Sequence, residues 1–346
     1  MIYPDFLKKG DTIYVTAPSD GNSESIDYIR LDRAKAALSD RGYNVKETMN
    51  VRTSTLGRST TAVERAAEFM EAYENGNAVI SAKGGDFLME MLSYTDFEKL
   101  SKKAAWFQGY SDNTSIGFIL TTAYDVASVY CNNFNDFAMD VWHESLSNNI
   151  SILEGKDVTQ HSFDMYQNGF FKGETGKEGY NLTDKVCLNL VDDKDEGKNI
   201  HMRGRLIGGC LDVLLNLCGT RFDKVKDYVL KYKDDGIIWF IESFSLGSED
   251  VERGLWQLYE AGWFENVKGF VFGREAFFST TTETDYRQAL EHALSKFNVP
   301  VIMNADIGHK PPQLTMINGA VADIDYNNGR MEILPSLHLR KHLKSR

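Results

Sequence analysis

No stretch of this 346-residue sequence approaches the ~18 consecutive apolar residues that a membrane-spanning helix needs, so no membrane partner is expected. The opening, 1-MIYPDFLKKGDTIYVTAPSDG-21, lacks both a basic start and an apolar segment ending in small residues. Without a secretory signal the expected address is cytoplasmic. Cysteine is scarce: Cys131, Cys187, Cys210 and Cys218, none in a C-x-x-C pair, read as reduced thiols in largely apolar surroundings. That excludes a disulfide framework and a cysteine-bound zinc site, and no metal or cofactor is expected. Positive charge is also short, with 38 Lys and Arg against 50 Asp and Glu and a net charge of -12. Such a surface repels polyanions, and the basic tail 338-HLRKHLKSR-346 reads as a solvated helix end, so nucleic acid is not an expected partner. Internal repeats and low-complexity segments are absent.

What is present is the composition of a globular protein, 42% hydrophobic and 25% charged, at a length suited to two domains. In the first half strand and helix signals alternate, the pattern of a parallel sheet with covering helices. Residues 12-TIYVTAP-18, 77-NAVISA-82, 104-AAWFQG-109 and 127-ASVYCN-132 read as strands. Between them, 27-DYIRLDRAKAALSDRG-42 reads as a helix with Ile29, Ala34, Ala37 and Leu38 on its apolar face and Gly42 as its stop. Residues 61-TAVERAAEFMEAYENG-76 form another, with Thr61 and Glu64 at capping-box spacing. From about 143 to 203 the periodicity fades into polar, glycine-bearing text. The expected division is 1–150, a linker at 151–202, and 203–346. In the last part, 203-RGRLIGGCLDVLLNLCGT-220 reads as an apolar helix, followed by strand 236-GIIWFIES-243 and a helix from Ser248 with Ser248 as its cap. Strand, helix and strand continue through 267-VKGFVFG-273, 284-TDYRQALEHALSKF-297 and 299-VPVIMNAD-306, and 327-NNG-329 marks a hairpin near the end.

A serine hydroxyl attacks a carbonyl only when a base takes its proton, a third group orients the base, and donors await the oxyanion. Ser111 lies in 109-GYSDN-113, directly after a buried strand, a partial match to the G-x-S-x-G elbow with Asn113 in place of the second glycine. A serine in that place is ordinarily a helix cap, so it needs partners to be a nucleophile. Its neighbour Asp112 would offer a backbone N–H at a helix N-terminus, where negative charge is favoured. Of the seven histidines, His309 stands apart, just past a buried strand and ahead of two prolines in 305-ADIGHKPPQLT-315. Glu242 ends the apolar strand 237-IIWFIE-242, where a carboxylate must be paired or hydrogen-bonded. All three fall at carboxyl ends of expected strands, where open α/β sheets build their sites. The glycine pair of 83-KGGDF-87 lacks the Lys and Ser/Thr of a phosphate loop. It also lacks the acidic residue before phenylalanine that cyclic-dinucleotide synthases carry, and is read as supplying a second oxyanion donor through Gly85 N–H.

Taken with 83-KGGDF-87, the blocks 108-QGYSDNTSIGF-118, 203-RGRLIGGCLDVLLNLCGT-220, 238-IWFIESFSLGSEDVERGLWQL-258, 267-VKGFVFGRE-275 and 299-VPVIMNADIGHKPPQLTMINGA-320 resemble, in that order, the LD-carboxypeptidase and microcin-immunity serine peptidases. The resemblance implies an N-terminal, flavodoxin-like α/β domain carrying the serine and a C-terminal β-rich α/β domain carrying Glu and His, with the site in the cleft between them and a homodimer as the common assembly. It implies a triad of Ser111, Glu242 and His309, with Asp112 and Gly85 as oxyanion donors. The implied substrates are a muropeptide tetrapeptide losing its terminal D-alanine, or a peptidyl-aspartyl nucleotide. The family's microcin-immunity branch stacks the nucleotide base on an aromatic in the linker loop, and Tyr180 is the nearest residue for that task here. A cleft that only captures its ligand, and an esterase or amidase for small acyl substrates, stand as alternatives.

Overall fold

In the computed structural model, which describes residues 1–170, 173–192 and 197–337, β1 (Thr12–Thr16) starts a sheet whose strands are separated by helices. The order along the chain is α1 (Ser25–Asp40), β2 (Asn44–Glu47), α2 (Ala62–Asn75), β3 (Ala78–Ser81), α3 (Phe97–Ser101), β4 (Trp106–Gln108), α4 (Thr114–Tyr124) and β5 (Ser128–Tyr130). Strands β3, β4 and β5 are short and buried throughout, as strands covered on both faces must be, whereas β2 is polar and carries no buried residue, as suits the edge of the sheet. They pair in parallel in the order β2-β1-β3-β4-β5, the flavodoxin-like arrangement. The capping box of α2 forms as expected between Thr61 and Glu64. The face of α1 differs from expectation: Leu31, Ala34 and Leu38 are buried with Asp27, while Ile29 is exposed. Residues 27, 31, 34 and 38 keep the i, i+4, i+7, i+11 spacing of one helical stripe, from which Ile29 is rotated away.

The polar middle holds more structure than its composition predicts. Helix α5 (Glu144–Leu153) buries Leu146, Ile150, Ile152 and Leu153, and the His143 ring nitrogen accepts the Ser145 N–H at its start. Four two-residue strands follow: β6 (Gln160–His161), β7 (Met165–Tyr166), β8 (Asp184–Lys185) and β9 (Asn189–Leu190).

Residues 203–210 are strand, not helix. β10 (Ile200–Cys210) runs 11 residues, and only Leu211–Leu217 form a helix, α6. The reason is steric. A Cβ on Gly208 would lie 1.6 Å from the Phe240 carbonyl oxygen, so its glycines admit a neighbouring backbone at a distance a helix of larger residues could not reach. The remaining order is α7 (Val225–Lys231), β11 (Ile237–Glu242), α8 (Ser248–Glu260), β12 (Val267–Gly273), α9 (Tyr286–Leu294), β13 (Val301–Ala305), β14 (Met316–Asn318), β15 (Val321–Asn327) and β16 (Arg330–Ser336). The cap of α8 is Gly247; the Ser248 hydroxyl instead donates to Glu249. The second sheet has the order β6-β16-β15-β10-β11-β12-β13-β9, with β10 to β13 parallel and the flanking pairs antiparallel. At the β15–β16 hairpin Asn327 pairs with Arg330, and Asn328 and Gly329 both take positive φ, as a two-residue primed turn requires.

β14 returns to the first sheet and pairs antiparallel with β5. One apolar cluster runs through both halves, with the Phe118 ring of α4 stacked 5.2 Å from Trp263. Cys131 and Cys210 are buried thiols and Cys218 is half-buried, whereas Cys187, expected in apolar surroundings, is exposed on the polar middle segment. Among the described residues no helix is long and apolar enough to cross a membrane. The basic tail at 338–346 lies outside the described residues.

Candidate active site

After β4 the chain turns through Gly109 and Tyr110 into a single 3-10 turn, Ser111–Asn113, and then enters α4. Ser111 caps nothing. It holds φ = +64°, a left-handed conformation that costs a non-glycine residue on the order of 1–3 kcal/mol and is typical of functional turns. Three contacts keep it there: its N–H donates to the Tyr130 phenol oxygen at 3.3 Å, its carbonyl accepts the Thr114 hydroxyl at 2.6 Å, and that hydroxyl oxygen accepts the Cys210 N–H at 3.1 Å. Gly109 is required because a Cβ there would lie 2.8 Å from Asn113 Cβ. Asn113, the departure from the elbow pattern, has its own task. Its amide donates to the carbonyls of Lys83 and Tyr110, tying the loop after β3 to the serine turn.

The Ser111 hydroxyl lies 3.0 Å from His309 Nε2, and His309 Nδ1 lies 2.9 Å from Glu242 Oε2. Three strand ends, 67 to 198 residues apart in sequence, thus deliver the three side chains to one line. An ionised carboxylate only accepts, so Nδ1 carries the proton and Nε2 is the acceptor for the serine hydroxyl. Glu242 is fully buried, and its other oxygen accepts the Tyr130 hydroxyl at 2.6 Å. Gly308 (φ = +96°) makes room for that carboxylate: a Cβ would lie 2.5 Å from Glu242 Oε2. The imidazole is 7% exposed and sits between the rings of Phe244, 4.5 Å away, and Tyr110, 5.1 Å away.

The loop that carries His309 is pinned by a buried ion pair. Arg274 donates to Asp306 at 2.8 Å and to the carbonyls of Asn304 and Lys310, while the second Asp306 oxygen accepts the Phe163 N–H. Burial pushes the Asp306 carboxyl above its ordinary range, against the pull of Arg274.

On the opposite wall, one oxygen of Asp112 accepts both the Ser19 hydroxyl at 2.5 Å and the Leu88 N–H at 2.8 Å. Its carboxyl is pushed up to about 6 by burial, which those two hydrogen bonds only partly offset. Buried Arg65 donates to the carbonyls of Pro18 and Phe87, so the loops after β1 and β3 are held together. A Cβ on Gly84 would lie 3.1 Å from the Ser111 hydroxyl oxygen, and one on Gly85 would lie 2.3 Å from the Ser19 hydroxyl. Gly84 therefore passes directly beside Ser111, and Gly85 lies against the loop after β1.

A cavity of about 270 Å3 opens from His309 between the halves, with Lys83, Gly84, Tyr110, Phe170, Tyr180 and Gln313 among its walls. The Tyr180 phenol accepts the Asn132 amide at 2.8 Å, and its ring faces His143 at 5.6 Å. Among the described residues no group of three or more His, Cys, Asp or Glu is placed to hold a metal ion. The structure brings Ser111, Glu242 and His309 together, with Asp112 next in the chain, sets Gly84 against the Ser111 hydroxyl and Gly85 against Ser19, and puts Tyr180 on the cavity wall. Sequence reasoning missed Tyr130, Phe244 and the Arg274–Asp306 pair. In 129-VYCNNF-134 the thiol draws attention, yet burial pushes the Cys131 thiol up to about 12 and the functional contact belongs to the tyrosine beside it.

Residues 13–131 match the LD-carboxypeptidase N-terminal domain and residues 203–324 the LD-carboxypeptidase C-terminal domain. The chain is 26% identical over 286 residues to the microcin C7 self-immunity protein MccF of Escherichia coli, covering 80% of this chain and 79% of that protein. In fold it is similar to the solved structure of MccF in complex with aspartyl sulfamoyl adenosine, with a TM-score of 0.80 at 22% identity over 97% of this chain and 99% of the other. It is also similar in fold to the muramoyltetrapeptide carboxypeptidase from Oxalobacter formigenes, with a TM-score of 0.72 at 22% identity over 94% and 98% of the two chains. With both domains matched in order and two thirds of its length inside them, the chain belongs to the LD-carboxypeptidase family of serine peptidases.

Proposed function

We propose that the protein hydrolyses a C-terminal amide bond with Ser111 as nucleophile, His309 as general base and acid, and Glu242 as the group that orients and stabilises the imidazole. The Ser111 oxygen attacks the scissile carbonyl carbon while its proton passes to His309 Nε2. Negative charge on the tetrahedral oxygen is met by the N–H groups of Asp112 and Gly85. His309 then returns the proton to the departing nitrogen, the C–N bond breaks, and an acyl ester remains on Ser111. Water, deprotonated by His309, releases the acyl group by the same route in reverse. The observation that carries this reading is the unbroken line from the Ser111 hydroxyl through His309 to buried Glu242, at 3.0 and 2.9 Å.

Two substrates fit a family that holds both a muramoyltetrapeptide carboxypeptidase and a protein solved with aspartyl sulfamoyl adenosine. One is a muropeptide tetrapeptide, cut at the L-to-D bond before its terminal D-alanine; the other is a peptidyl-aspartyl nucleotide. Tyr180 is assigned to the substrate side of the cavity, where its ring offers a face for stacking. Residues 1–150 are assigned as the nucleophile domain, 151–202 as the linker and substrate loop, and 203–346 as the domain carrying Glu242 and His309. A cytoplasmic homodimer is the working form that the family resemblance supports. Mass-spectrometric product analysis of both substrates with wild type and Ser111→Ala tests the reading. D-alanine or nucleotide-amide release by wild type alone supports it, and release of either product by Ser111→Ala at close to the wild-type rate would overturn it.

A further inference from the structure

Gln313 lies on the His309 loop, four residues further along, and is 2% exposed. Its buried side-chain oxygen has no hydrogen-bond partner among the described residues, and the residue lines the cavity that opens from His309. Such an acceptor is costly to leave unmade, and native proteins satisfy nearly all of them. A second residue lining the same cavity, Asn135, carries another buried, unsatisfied acceptor, Oδ1, while its amide nitrogen is committed to Asn22 at 2.8 Å. Two lining residues of one cavity that each keep an orphaned carbonyl oxygen call for donors that arrive with a ligand, reached by a turn of the side-chain amide.

We infer that Gln313 is a specificity-determining residue that accepts a hydrogen bond from a peptide N–H in the acyl half of the substrate; the inference rests on the serine-peptidase reading above. A neutral amide suits this position better than an ammonium group, because a cation at so buried an oxygen would lose its hydration without a counter-charge. The acyl half follows from the reaction. A carboxypeptidase releases a single residue, which contains no second amide, so a further peptide N–H in the cavity belongs to the part that becomes the acyl ester.

The test uses three serine-directed probes on the full chain: a small alkyl fluorophosphonate, an acetyl-dipeptidyl diphenyl phosphonate, and the same phosphonate with its internal peptide nitrogen methylated. Each peptidyl labelling rate is divided by the same protein's rate with the fluorophosphonate, which corrects for changes in Ser111 reactivity. Wild type is expected to favour the N–H probe over its N-methyl counterpart by about tenfold. Gln313→Leu should bring that ratio to about one, and Gln313→Glu, which keeps an acceptor oxygen, should restore most of it. Equal labelling of the two peptidyl probes by wild type, or a preference that survives in Gln313→Leu, would overturn the inference. Failure of wild type to label with any of the three would overturn the serine-peptidase reading itself, and the inference with it.

Discussion

Tyr130 connects the backbone of Ser111 to the carboxylate of Glu242 through one hydroxyl, at 3.3 and 2.6 Å. Tyr130→Phe keeps the ring and its packing against Phe240 but removes both contacts. Because hydrogen bonds to charged groups contribute about 1.5–3 kcal/mol, kcat is expected to fall roughly ten- to hundredfold with KM little changed. Steady-state kinetics on whichever substrate turns over checks this, and a change confined to KM would contradict it. Asp112 yields a prediction of a different kind. Its folded-state carboxyl titrates at about 6 against an ordinary 3.8, so between those values the folded protein holds a proton that the unfolded chain has released. Stability is therefore fully present below about pH 4 and is lost as pH rises through 6, by on the order of 2–3 kcal/mol. In Asp112→Asn the amide oxygen can still accept from Ser19 and Leu88, and that part of the pH dependence should vanish. Urea midpoints from pH 4 to 7 for both proteins provide the measurement; parallel slopes would rule the assignment out.

Among the elements, those whose boundaries are written in local chemistry were legible in the sequence. The capping box at Thr61 and Glu64, the stop at Gly42 and the Asn-Gly hairpin turn are each decided within four residues. β10 was not, because its conformation is set by partners far away: β11 on one side and β15, more than 100 residues on, at the other. Its glycines weaken a helix and a strand alike until the neighbouring backbone is known. The site divides in the same way. Ser111, Glu242 and His309 are candidates by residue type at the ends of apolar strands and are joined by the family resemblance, whereas Tyr130 and Arg274 gain meaning only when β5 meets β11 and when residue 274 meets residue 306. Gly308 shows how an element's end depends on such a meeting. With φ = +96° and a Cβ position 2.5 Å from Glu242, Gly308→Ala must both strain the turn and displace the carboxylate. Activity is expected to fall by at least ~10² alongside a loss of stability of at least ~1 kcal/mol, read from kcat/KM and urea unfolding.

At the scale of the whole molecule, the two sheets are not independent supports for the site. β14 completes the first sheet from the last part of the chain, α4 packs its Phe118 on Trp263, and the cavity takes its walls from both halves and the segment between them. The Arg274–Asp306 pair adds a further clamp, joining the ends of β12 and β13 to Phe163 of the middle segment. Replacing Arg274 with methionine would leave a buried carboxylate without its partner and is expected to cost about 3–5 kcal/mol, measurable as a lowered urea midpoint. On the proposed mechanism, residues brought from three distant strand ends act as one catalytic unit. The most direct test is the kcat/KM of Ser111→Ala, His309→Ala and the double variant on the substrate that wild type cleaves. Each single variant is predicted to lose about 10⁴- to 10⁶-fold, with the double variant no worse than the poorer single. Ser111→Ala within tenfold of wild type, or losses that multiply in the double variant, would contradict it.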